Sequence, residues 1–151
     1  MGRSTKLVTA TYILSYVAVK APALVTTSAI ARAVKDHPAR VRQLVATLVR
    51  KNLLMSVRGA NGGVRLARAP EDITLRDICD AVEDQPLLAV SLKNPFAAWA
   101  GRCQVHPTFT KLYADFEWKM REDLRSHRLR EMYTPPDGAR ASRAGRSRRR
   151  P

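Results

Sequence analysis

Arg58-Gly59-Ala60-Asn61-Gly62-Gly63-Val64-Arg65-Leu66 has the composition of a hairpin tip with arginines on both flanks. Glycine reaches backbone angles that residues with a Cβ adopt only at a cost, and tight hairpin connections need such angles. The arginines put charge where a tip meets a phosphate backbone or a minor groove. Residues 53–57 and 64–67 flank the tip and read as two short strands.

The segment before the hairpin is the clearest helix in the chain. Val41, Leu44, Val45, Leu48 and Val49 follow i, i+3, i+4, i+7, i+8 and make one wide apolar stripe. Pro38 opens this helix at a position where its missing N–H costs nothing. Asn52 tolerates the left-handed stop at its end. Arg40, Arg42, Gln43, Ala46, Thr47 and Arg50 lie off the stripe. Working back, Asp36-His37 is a tight turn. Thr26, Thr27 and Ser28 offer N-caps for a short helix to about Lys35, with Ile30, Ala31 and Val34 inward. A first helix covers residues 4–20 and stops before Pro22. Leu7, Ala10, Leu14, Val17 and Ala18 give it helical spacing. With Arg3, Lys6 and Ala21-Pro22-Ala23 the same stretch superficially resembles a signal peptide. Thr9, Thr11, Tyr12, Ser15 and Tyr16 interrupt it, so the amphipathic helix is the better reading.

Beyond the hairpin, Pro70 and Thr74 precede a fourth helix with Leu75, Ile78, Cys79 and Val82 on one face. Residues 85–106 show no clear period. Pro107 opens a long helix to about Met132, striped by Phe109, Leu112, Tyr113, Phe116, Met120 and Leu124. A solitary helix cannot bury so many large side chains. The stripe therefore predicts packing on the first helix, pairing with a second copy of the chain, or both, in a two-fold dimer. Residues 134–151, rich in Pro, Gly, Ser and Arg, have the composition of a disordered tail. The predicted fold is mainly α with a small β-hairpin wing: a winged helix-turn-helix (1–84), a sensor-type loop (85–106), a dimerisation helix (107–133) and the Arg-rich tail (134–151).

The formal net charge of +14 over 151 residues points to a polyanionic partner, nucleic acid before an anionic membrane surface. Residues 1–84 carry 13 basic and 7 acidic side chains, and residues 134–151 carry six arginines against one aspartate. The excess sits mostly on the helix-turn-helix part and the tail. The two cysteines, Cys79 and Cys103, make no disulfide framework and suit a reducing, cytoplasmic compartment. No run of 18 apolar residues occurs, so no membrane span is expected.

Recognition helices present their N-terminal end to base edges. Arginine pairs with guanine O6 and N7, and glutamine with adenine. The candidate DNA-facing residues are Thr27, Ser28, Pro38, Ala39, Arg40, Arg42, Gln43 and Arg50 in the helix-turn-helix, with Arg58, Gly59, Asn61, Gly62 and Arg65 in the wing. Helix-turn-helix, the Arg58-Gly59-Ala60-Asn61-Gly62-Gly63 wing, Leu66-Ala67, Ile73-Thr74-Leu75-Arg76-Asp77-Ile78 and Ala81-Val82-Glu83 together resemble the Rrf2 family of bacterial transcription regulators, over roughly residues 3–132. The resemblance implies a homodimer with one winged helix-turn-helix per subunit and a long dimerisation helix. It implies binding to a pseudo-palindromic double-stranded operator, usually as a repressor.

The departures from that family pattern bear on cofactor and specificity. Cluster-binding members hold a [2Fe-2S] centre with three cysteines at about six-residue intervals, some with a nearby histidine. Cys103 and His106 fit the end of the pattern, but Ala97 and Ser91 stand at the earlier places. One subunit thus lacks a full ligand set, no cofactor is expected, and completion by a partner subunit stays open. Arg42 stands where iron–sulfur members carry glutamate, so the operator is not expected to be theirs. Asn52 replaces the usual glycine after the recognition helix.

Cys79, on an apolar face, reads as a small buried hydrophobe. Cys103 lies beside Arg102 and near His106, and positive neighbours raise thiolate content; the two make a candidate thiol sensor, or the remnant of an ancestral cluster site. Phe96 and Trp99 either cap the core and dimer seam or line a small-molecule pocket. The sequence-specific regulator competes with a non-specific, architectural nucleic-acid-binding protein, which the charge alone permits. An enzyme using Cys103 and His106 would lack an orienting carboxylate and an oxyanion site, so no catalysis is expected.

Overall fold

A computed structural model describes residues 5–86 and 105–134. The first helix, α1 (Lys6–Lys20), buries Ala10, Ile13, Leu14, Val17 and Ala18. Its spacing follows the predicted stripe, with Ile13 added. α2 (Thr27–Val34) is capped by Thr26, whose hydroxyl accepts from the Ala29 N–H at 3.2 Å. It ends on Lys35 in the left-handed region at φ 52°. α3 (Pro38–Arg50) starts behind His37, whose ring Nδ1 accepts from the Ala39 N–H. Val41, Leu44, Val45 and Leu48 are buried, each aliphatic side chain stabilising the fold by about 1.5–3 kcal/mol. Asn52 takes a left-handed φ of 55°, as its small polar side chain permits.

The wing is a two-stranded antiparallel hairpin of β1 (Leu54–Val57) and β2 (Gly63–Leu66), in the register Leu54↔Leu66 to Val57↔Gly63. Its tip spans residues 58–62. Gly59 sits at φ +127°, where a side chain would be strained. Val25, in the link between α1 and α2, bridges Val64 from the other side of β2. The two residues exchange N–H···O bonds of 3.0 and 2.8 Å. That approach explains Gly63, because a Cβ there would lie 2.7 Å from the Val25 carbonyl oxygen.

A 3-10 turn (Pro70–Asp72) leads to α4 (Leu75–Val82). A reciprocal cap starts α4: the Thr74 hydroxyl accepts from the Asp77 N–H, and the Asp77 carboxylate accepts from the Thr74 N–H. Ile78, Cys79, Ala81 and Val82 complete the core from this helix.

The long helix, α5 (Val105–Ser126), begins two residues before Pro107, which sits in the first turn where no N–H is required. Residues 105 and 106, predicted as the end of the loop, are therefore helical. α5 also ends before Met132. The chain leaves the helix to pair with the start of α4: the His127 carbonyl accepts from Leu75 N–H at 3.0 Å, and Leu129 N–H donates to the Ile73 carbonyl at 2.8 Å. A final 3-10 turn (Leu129–Met132) follows. Leu129 is 0% exposed and belongs to the same core as α1 to α4. Residues 127–133, predicted as helix, instead return the chain against the start of α4.

α5 lies against α4 rather than against α1 as the stripe suggested. A lattice of alternating charges joins them. Arg76 of α4 pairs with Asp80 at 3.3 Å and with Glu122, and Arg121 of α5 pairs with Glu117 at 2.8 Å and with Asp80. These pairs are partly exposed, so each contributes only about 0–1 kcal/mol. Their effect is alignment.

Candidate nucleic-acid interface

α3 presents two opposite surfaces. The buried one holds it against α1, α2 and α4. The other carries Ala39, Arg42, Gln43, Ala46 and Arg50, all exposed. Arg42 makes no ion pair or hydrogen bond within the described residues. Its guanidinium is thus available for a bidentate partner. Arg50 rests on the Thr47 hydroxyl at 3.0 Å. Arg40 is half-buried and already engaged: Nε lies 3.5 Å from the Asp36 carboxylate, and Nη2 donates to the Thr5 hydroxyl. The sequence offered Arg40 as a DNA-facing residue; its first visible job is to tie the turn before α3 to the start of α1.

At the corner between α2 and α3, Ser28, Arg32 and Pro38 line one shallow groove. Thr27 is half-buried as the first residue of α2. In the wing, Arg58, Gly59, Asn61 and Arg65 are exposed, and Gly62 is half-buried with its N–H donating to the Gly59 carbonyl at 3.0 Å. Arg58 has no partner among the described residues. Among the described residues Arg65 makes only a 3.5 Å contact to the Met55 sulfur. Two unpaired or loosely held arginines, one at the hairpin tip and one in β2, and a third on an exposed helix face present cations to an anionic ligand.

A second groove flanks α3 on the side of α1 and α4. Lys6, Arg40, Gln43, Thr47, Arg50 and Asp84 line it, over buried Leu44 and Val82. Lys6, Thr47 and Arg32 line these two grooves and were not among the candidates drawn from the sequence. Lys6 closes on α3 only because α1 packs across it, and no local signal carries that.

The family model with the description "Iron-dependent Transcriptional regulator", Rrf2, matches residues 3–135. The chain belongs to the Rrf2 family. IscR of T. potens is 26% identical, with 87% of this chain and 85% of that chain covered at a TM-score of 0.65. CymR of B. subtilis, described as the global cysteine regulator, is also 26% identical, covering 87% and 95% at a TM-score of 0.64. YwgB of Bacillus subtilis, described as an HTH-type transcriptional regulator, is 28% identical over 116 residues, 74% of each chain. As an Rrf2 protein the chain is a DNA-binding transcription regulator with a winged helix fold. Its relatives are regulators, not enzymes.

The Rrf2 description names iron, which tests the donors of this chain. The sequence holds two cysteines and three histidines. Cys79 is fully buried, and burial pushes its thiol up against the opposing attraction of Arg121. His37 caps α3, and His127 lies 3.6 Å from Glu131. Among the described residues no three His, Cys, Asp or Glu side chains gather as metal ligands. Cys103, with Ser91, Phe96, Ala97 and Trp99, lies outside the described residues. His106 is half-buried in the first turn of α5. Cys103 and His106 together fall short of the four protein ligands that an iron–sulfur cluster commonly takes. The donor set of one subunit does not fit a [2Fe-2S] centre.

The predicted dimerisation stripe divides in two. Tyr113, Met120 and Leu124 are half-buried, on the flank shared with Glu117 and Arg121. Phe109, Leu112 and Phe116 remain 44%, 42% and 48% exposed. Trp118, absent from the stripe, is exposed on the opposite side of α5. No helix among the described residues is long and apolar enough to cross a membrane.

Proposed function

We infer that this regulator is a cytoplasmic homodimer that reads a specific operator through α3 and the wing, and that it acts as a repressor. The observation that carries this reading is α3 itself. Four buried aliphatic residues fix its orientation, while Arg42 and Gln43 stand exposed near its N-terminal end and an arginine-flanked hairpin follows it in the chain. The DNA-facing set is the one drawn from the sequence, with Arg40 acting first as a brace. The exposed half of the α5 stripe supports the homodimer, because large apolar patches are seldom left to water. In this reading residues 1–84 bind DNA, 107–126 pair the subunits, and the arginine tail adds phosphate contacts without base preference.

Cys103 and His106 are the proposed sensing pair. Cys79, buried and held protonated, is unsuited to oxidation, which leaves Cys103 to carry any thiol signal.

The test is fluorescence anisotropy of the reduced protein on DNA from upstream of its own gene, against scrambled DNA. Arg42→Ala is expected to cut the preference about 5- to 150-fold, the equivalent of ~1–3 kcal/mol. Arg58→Ala is expected to weaken both duplexes. Equal binding of wild type to cognate, scrambled and genome-selected fragments would instead establish the architectural reading that the charge permits. Mild oxidant tests the sensor: Cys103→Ser is expected to abolish any oxidant effect, and unchanged oxidant behaviour in that variant would end the sensing proposal.

A further inference from the structure

The groove between α1, α3 and the end of α4 encloses about 360 Å³. Three cations reach it. Arg40 is committed to Asp36 and Thr5, and Arg50 rests on Thr47. Lys6 differs. Its ammonium lies 3.9 Å from the Asp84 carboxylate, and the two side chains are 49% and 85% exposed. Such an exposed pair holds weakly. The backbone beneath it does not move freely, because the Leu7 N–H donates to the Glu83 carboxylate at 3.2 Å. The start of α1 is thereby pinned to the end of α4, and only the flexible lysine stem can change partners. Gln43, a proposed base contact, lines the same groove. A strand whose base meets Gln43 brings its own phosphates to the rim of this groove.

We propose that this groove is a DNA-backbone phosphate site in which Lys6 is a direct contact, and that Asp84 holds the Lys6 ammonium until a phosphate replaces it. The proposal rests on α3 being the DNA-reading helix. DNA binding then trades an intramolecular carboxylate for an intermolecular phosphate. Asp84 acts as a built-in competitor that weakens binding to every sequence alike. A lysine–phosphate contact positions the protein without selecting bases.

The experiment is the salt dependence of binding by the full chain, on its own upstream DNA and on a scrambled duplex of equal length. Lys6→Gln is expected to reduce the slope of log K against log salt by about 0.9 per subunit on both duplexes, with their ratio unchanged. Lys6→Arg is expected to restore the slope. Lys111→Gln, an exposed site on α5, controls for charge loss at a distance and is expected to change it little. Asp84→Asn is expected to tighten binding to both duplexes at low salt, and to do nothing further when Lys6 is already Gln. A wild-type slope in Lys6→Gln, or an equal loss in Lys111→Gln, would overturn the site. Undiminished tightening by Asp84→Asn in the Lys6→Gln background would overturn the exchange. Failure of the operator reading itself would appear separately, as wild-type protein without preference between the two duplexes.

Discussion

Replacing Leu129 by alanine is expected to destabilise the core shared by α1 to α4 severely, although Leu129 lies beyond the long helix and far along the chain from α1 to α4. The side chain is 0% exposed and sits in the common core. The substitution removes three buried carbons, about 2.4 kcal/mol of transfer free energy at roughly 0.8 kcal/mol each. A cavity of about 40–60 Å³ that fails to collapse adds roughly 1–1.4 kcal/mol. The sum, about 3–4 kcal/mol, is a large part of the stability of an ordinary domain. The N–H bond to the Ile73 carbonyl survives in alanine, so the loss reports the side chain. Urea unfolding at one fixed chain concentration is the assay, because subunit association stabilises by mass action. With a slope of about 2 kcal/mol per molar urea, the midpoint should fall by about 1.5–2 M. Leu48→Ala, equally buried in α3, calibrates the scale. A loss under about 1 kcal/mol at Leu129 beside a full loss at Leu48 would refute the placement of Leu129 in the core.

Gly63→Ala should cost about 1–3 kcal/mol by overpacking, since its new Cβ would stand 2.7 Å from the Val25 carbonyl oxygen; wild-type stability in that variant would contradict the Val25–Val64 bridge. Cys79 should resist a thiol reagent in the native protein, so that Cys103→Ser shows no reactive thiol until unfolded. Burial raises the Cys79 value in the fold, so the native state keeps its proton longer than the unfolded chain. The stability this provides is present below the unfolded thiol value and declines as pH rises from there toward the folded one. Fast labelling of native Cys103→Ser at neutral pH would disprove the burial.

Much of this molecule was legible in the sequence because its signals are local. The α3 stripe, the left-handed Asn52, the Thr26 cap and the glycine-bearing tip each depend on residues within a few positions of one another. What escaped depends on distant segments. Leu129 stands between Arg128 and Arg130 and belongs to no period; only the return of the chain against Ile73 buries it. The α5 stripe announced an apolar face and pointed to α1 and a second copy; the contact with α4 was not foreseen. Asp80, Arg121 and Glu122 now explain the preference for α4, as charges that interlock across the two helices. Arg40 carried the right chemistry for a base contact, but Asp36 and Thr5 claim its guanidinium first. Lys6 is a single lysine at a helix start, and its relation to α3 is purely tertiary.

The bridge from Val25 has an entropic consequence for DNA binding. An isolated two-stranded hairpin is marginal in water, and a wing that ordered only on contact would forfeit about 1–2 kcal/mol of backbone freedom for every residue fixed. Here β2 is stapled, next to its tip end, to the link between α1 and α2 before any ligand arrives. In the proposed binding mode the residues left to settle on DNA are those of the tip, 58–62. The wing is thus preorganised in all but its tip, and in the proposed binding mode the energy that Arg58 would supply is diminished by the immobilisation of a few residues rather than of a whole hairpin.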